Sequence, residues 1–197
     1  MALNPPSKPA RLDGASRSGG ESKSKSTRFG ADITLITTNL PDMNGRTETS
    51  RGDKESFVID GPGEYEIKNV FVKGFLSEGP GGKVNTIYLI SFEGISMCFI
   101  GALANSSLSS EITEAIEDVD ILFVPLGEGG TLDPASAYKL GVSLEASIII
   151  PMYFPKGALE QFIKEGGEGR VESLDKLVVK KKDFEGKAGE IVVLKEE

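Results

Sequence analysis

The hydrophobic pattern of this chain changes character at Gly101, and that change limits the fold more than any other feature. Upstream, short runs alternate apolar and polar residues and are rich in β-branched side chains, the period-two signature of half-buried strands. They cover residues 31–37, 57–59, 65–67, 70–75, 86–92 and 95–100. Gly and Pro punctuate them at Asp60-Gly61-Pro62-Gly63, and Glu93-Gly94 closes an antiparallel hairpin. Residues 44–55 and 77–83 read as loops.

Downstream, continuous apolar runs alternate with amphipathic stripes. Serines near 106–110 can cap a helix whose inner stripe is Ile112, Ala115, Ile116 and Val119. Residues 121–125 form a fully apolar run, as a strand buried on both faces requires. Asp133-Pro134 pairs an N-cap with a proline at the first helical position, and Ala137, Leu140, Gly141 and Leu144 follow as an inner stripe. A second buried strand is expected at 147–151. A helix at about 156–165 should turn Leu159, Phe162 and Ile163 inward and end at Gly166-Gly167. Residues 177–179 and 190–194 read as closing strands. Strands first, then strands alternating with helices, make an α/β fold with helix-covered sheets.

The 197 residues suit one domain, or two tightly packed halves, with 39% hydrophobic residues to form a core. A flexible N-terminal segment at 1–30 precedes the folded domain at 31–197. From residue 7 to 27 this segment has scarcely an apolar side chain, and it carries Lys8, Arg11, Arg17, Lys23, Lys25 and Arg28. It reads as a solvated loop, or as a docking arm for an acidic partner. A net charge of −8 and a pI near 4.8 argue against a phosphate-binding surface, so no nucleic acid is expected. No run nears the ~20 apolar residues of a membrane span, and no apolar signal core opens the chain. A cytoplasmic protein is expected. Cys98 is the single cysteine and lies in an apolar run, so it reads as a buried small hydrophobe. With no histidine anywhere, no Cys–His pair can activate it.

Four stretches, in order and spacing, resemble the metallo-β-lactamase superfamily, and the small bacterial lactonase-like branch most. These are 33–45, Gly61-Pro62-Gly63-Glu64-Tyr65-Glu66, Phe99-Ile100-Gly101-Ala102-Leu103 and Ile148-Ile149-Ile150-Pro151-Met152-Tyr153. The resemblance spans about 31–194 and implies an αββα sandwich. Ala2-Leu3-Asn4-Pro5-Pro6-Ser7 resembles the turn ending the family's third strand, which implies a chain lacking the first strands. The open edge left behind would favour a homo-oligomer or a protein partner.

The resemblance also implies a metal centre built on a His-x-His-x-Asp-His loop, where imidazoles and a carboxylate converge on an ion and acidify its water. Here the matching positions hold Thr38, Leu40, Asp42 and Met43. The later ligand positions hold Leu76, Ala102 and Tyr153. Asp42 alone keeps a family donor. No metal cofactor is therefore expected. The alternative is a weakly bound, hydrated divalent metal at Asp42 with Asn39, Asn44 and Tyr153.

Three further stretches carry polar chemistry. Gly127-Glu128-Gly129-Gly130 is a plain βα connection or an anion-holding loop before a helix. Asp60, Glu64 and Glu66 are strand-edge solvation or paired acids. Lys180-Lys181-Lys182 reads as a solvated strand end. Two functions follow as expectations. The first is a non-catalytic binding or scaffold subunit, with a purely structural relic as its limit. The second is a metal-dependent hydrolase of lactonase or phosphodiesterase type with an atypical or partner-completed site.

Overall fold

The structure is a computed structural model that describes residues 2–3, 30–40, 44, 49 and 55–195. Expectations for the rest of the 1–30 segment, including its basic residues and the Asn4 turn, and for most of 41–54 lie outside the described residues.

Seven strands form the large sheet: β4 (Gly63–Ile67), β5 (Val70–Glu78), β6 (Val84–Phe92), β7 (Ile95–Phe99), β8 (Ile121–Pro125), β9 (Ile148–Met152) and β11 (Glu190–Ile191). Their spatial order is β11-β9-β8-β7-β6-β5-β4. The half from β4 to β7 is antiparallel, and the half from β7 to β11 is parallel. The change of strand sense falls where the sequence pattern changes. Hairpins suit sheets wetted on one side, and crossover helices bury both faces. A small sheet holds β1 (Ala2–Leu3), β2 (Ile33–Leu35) and β3 (Phe57–Ile59), while β10 (Ser173–Leu174) pairs with β12 (Val193–Leu194).

Helices α1 (Ser110–Ile116), α2 (Pro134–Ser143) and α3 (Ala158–Glu165) pack on one face of the large sheet. There Ile112, Ile116, Ala137, Leu140, Phe162 and Ile163 meet Cys98, Leu122 and Ile149. The opposite face meets the small sheet, with Ile33, Leu35 and Ile59 against Val70, Val72, Tyr88 and Ile90. Cys98 is fully buried, and burial pushes its thiol pKa far up, as expected of an inert core residue. Among the described residues no helix is long and apolar enough to cross a membrane.

The two sheets are also joined by a polar link. Tyr88 is fully buried and its hydroxyl donates to Ile36 O (2.9 Å) and Ile59 O (3.2 Å), on and beside the small-sheet strands. Burial drives its pKa far up, so the phenol stays a donor. Tyr88→Phe removes a donor from both carbonyls, of which Ile59 O keeps Ile36 N–H (2.9 Å). The change is expected to lower the melting temperature by about 4 °C in a calorimetric scan. An unchanged melt would show that the link adds nothing.

Three sequence expectations are corrected. Residues 77–83 are not one loop: β5 runs to Glu78, β6 starts at Val84, and a short 3-10 turn at Pro80–Gly82 joins them. Residues 177–179 form no strand, and the pairing in that region goes to β10 instead. The three lysines are not a strand end either. A 3-10 turn at Lys181–Phe184 places Lys181 Nζ 2.8 Å from both carboxylate oxygens of buried Asp120. Asp120 also accepts from the Ser96 N–H (2.7 Å) and Ser96 Oγ (3.1 Å). A carboxylate this buried needs a counter-charge, and the turn supplies it.

Candidate functional site

The polar residues of interest gather at one end of the sandwich, just past β2 and β7 and at the joined ends of β5 and β6. The backbone after β2 is tied there because Thr86 N–H donates to Thr37 O (2.7 Å). Beside it stands Asn85, fully buried, whose carboxamide holds three elements together. Its Nδ2 donates to Ser77 Oγ (2.8 Å) and Ile100 O (3.0 Å), and its Oδ1 accepts from Ala102 N–H (2.9 Å). Ser77 Oγ in turn donates to Asn85 O (3.2 Å). Between the two gripped residues Gly101 turns at φ +62°, and a Cβ there would overlap Thr37 Cβ. Glycine is needed at this position both for its conformation and for the close approach.

The resemblance-implied positions cluster around this clasp to different degrees. Thr38 and Ala102 are buried and adjoin it on either side. Leu40 is half-buried. Leu76 faces Thr86 across the β5–β6 ladder, yet its side chain is 61% exposed. Tyr153 is half-buried and has a positive φ of 48°, and its backbone carbonyl accepts from Leu126 N–H (3.3 Å). Its hydroxyl would lie 3.2 Å from a Cβ on Gly129, so the ring lies against the glycine loop. Asp42 and Met43 lie outside the described residues. Ala102 N–H, Ala104 N–H (to Glu78 O, 3.1 Å) and Leu103 O (from Leu132 N–H, 3.1 Å) all serve the protein's own frame.

Zinc does not fit the described part of this set. Zinc takes thiolate, imidazole or carboxylate donors. The side chains of Leu40, Leu76 and Ala102 offer no lone pair, and Thr38 and Tyr153 offer hydroxyl oxygens outside that donor set. Among the described residues no three His, Cys, Asp or Glu side chains stand close enough to hold an ion.

The glycine loop before α2 offers an anion little as well. Asp133 already occupies the helix N-terminus, accepting from Ala135 N–H and Ser136 N–H (3.0 Å each) and from Ser136 Oγ (2.6 Å). Those bonds, Ser136's hydroxyl first, hold the Asp133 carboxyl below its ordinary range. The plain βα connection is the reading this geometry favours. Of the three acids near the first turn, Glu64 pairs with Lys73 (3.0 Å) on the exposed edge, which is strand-edge solvation.

Asn85 belongs to no motif in the sequence. Its only signal there is a carboxamide near the start of the apolar run of β6, where an unpartnered amide would be costly to bury.

Residues 6–153 match the sequence model described as "Beta-lactamase superfamily domain". Among solved structures, the chain resembles a proposed zinc-dependent hydrolase of the metallo-beta-lactamase superfamily from Thermotoga maritima. That match has 24% identity and a TM-score of 0.63, over 85% of this chain and 83% of that one. It also resembles a proposed metal-dependent hydrolase from Parabacteroides distasonis (18% identity, TM-score 0.55, 73% and 76% covered). A third is the metallo-beta-lactamase fold protein YhfI from Bacillus subtilis (10% identity, TM-score 0.55, 84% and 75% covered). At these identities the structures speak for the fold alone. No curated protein matches the chain.

Proposed function

The chain belongs to the metallo-β-lactamase superfamily, and from that premise we propose that it is a non-catalytic member acting as a binding or scaffold subunit. One observation carries this reading: the residues at the implied ligand positions. Leu40, Leu76 and Ala102 offer an ion no side-chain donor, Met43 offers only a weak thioether, Thr38 and Tyr153 offer hydroxyls, and Asp42 alone keeps a family carboxylate. A water molecule is sharpened into a nucleophile by a gripped Lewis acid, and these side chains grip none. What remains is the fold, which by itself carries no activity, and a binding or scaffold role asks only for a surface. A partner, either another copy or a different protein, is part of the proposal, as is a cytoplasmic setting.

Elemental analysis of the purified, dialysed chain tests it. Zinc, manganese and iron are each expected far below one ion per chain, with no turnover of lactone or phosphodiester substrates. Near-stoichiometric metal that survives dialysis, or hydrolysis abolished by Asp42→Ala, would establish the rival reading. That rival is a superfamily hydrolase whose site Asp42 or a partner completes.

A further inference from the structure

The helix layer does not reach the whole of the large sheet. On its helix side β5 contributes only Phe75 to the core, while Phe71, two pairs further along the same face, is 52% exposed. The β4–β5 register sets Glu64 opposite Lys73 and Glu66 opposite Phe71, so these four side chains lie on the same face as the buried Phe75, toward the sheet edge. Between this edge and the start of α1 runs an open groove of about 370 Å³, lined by Glu64, Lys73, Phe75, Ser109, Glu111 and Ile112 among others. Lys73 Nζ stands 5.3 Å over the Phe75 ring and 3.0 Å from Glu64. Among the described residues no lysine or arginine pairs with Glu66, beside the groove, or with Glu111, in the first turn of α1.

A partner seated here would bury the exposed Phe71 ring together with the apolar lining of the groove at Phe75 and Ile112. A second copy of the chain suits it poorly, because it would set acids against acids on a protein of net charge −8. A strand added to β4 is opposed by Glu64 and Glu66, the edge charges that blunt such pairing. A helix beside α1 would continue the layer already present. We propose that the β4–β5 face docks an amphipathic helix of a different protein, its apolar ridge on Phe71 and the groove and its lysines or arginines on Glu64, Glu66 and Glu111. This names the partner class for the non-catalytic reading and rests on it. Metal content and docking are measured separately, so either can fail without the other.

The test uses a fluorescent leucine–lysine amphipathic helix of about 18 residues, long enough to be helical when bound, titrated into the full chain by anisotropy. Saturable one-to-one binding is expected, weakened at least about tenfold by Phe71→Ser and by Glu64→Lys/Glu66→Lys. Circular dichroism should show both variants folded. The pair Glu168→Lys/Glu172→Lys, which changes exposed acids elsewhere, should leave the affinity unchanged. Three results would overturn the proposal: no saturation, equal weakening by the remote pair, or concentration-dependent self-association that Phe71→Ser abolishes. The last would make a second copy the occupant.

Discussion

Replacing Gly101 by alanine is expected to lower the melting temperature by about 10 °C, measured by circular dichroism or calorimetry. Two penalties combine. At φ +62° an L side chain costs about 1–2 kcal/mol. The added methyl would also overlap Thr37 Cβ and lie 2.7 Å from Asn85 Oδ1. Neither neighbour can give way cheaply. Thr37 is held by Thr86, and Asn85 by its contacts with Ser77, Ile100 and Ala102. Overpacking of that kind costs about 1–3 kcal/mol. Gly81→Ala supplies the control, since Gly81 has a similar φ of +67° with nothing within 4 Å of the added carbon. Its loss should be the conformational part alone, about 5 °C or less. Equal losses at the two positions would mean that the crowding around Gly101 has no energetic weight.

Periodicity explains which parts of the fold could be read from the chain alone. Residues 121–125 and 148–151 are apolar without a break, and both are buried strands. The stripe Ala137, Leu140, Gly141 and Leu144 is buried, and Asp133-Pro134 starts α2. Local pattern does not carry pairing. Leu177-Val178-Val179 has strand composition, yet it pairs with no strand among the described residues and leaves Val178 68% exposed. Lys181 and Asp120 are 61 residues apart, so their ion pair has no local signature, and a lysine run looks solvated until the buried carboxylate is known. The arms of β5 and β6 outrun their apolar stretch because Ser77 and Asn85 exchange side-chain bonds across them. The candidate site was legible only as a set of positions borrowed from a resemblance. Thr38, Ala102 and Tyr153 do lie at one end of the sandwich, whereas the residue that organises that end, Asn85, belongs to no ligand motif.

Substitutions at Asn85 test that organising role directly. Asn85→Ala strands Ile100 O and Ala102 N–H in a buried setting, at about 1–3 kcal/mol for each group. A melting temperature lower by about 10 °C is expected. Asn85→Asp is more informative because its effect carries a pH signature. The aspartate can still accept from Ala102 N–H, but as a carboxylate it faces Ile100 O with no proton to donate, in a fully buried position. Burial and the facing carbonyl both favour its neutral form, so the folded pKa rises above the unfolded value. The folded state then binds more protons than the unfolded state between those two pKa values, so stability falls as pH rises through that window and returns as pH falls. Protonated, the acid can donate to Ile100 O as the amide does. Relative to the unsubstituted chain at the same pH, Asn85→Asp should therefore lose the most near neutrality and regain part of the loss by about pH 5. A deficit that stays constant with pH would mean the carboxyl has escaped to water, and that the amide is not what holds Ile100 and Ala102 in register.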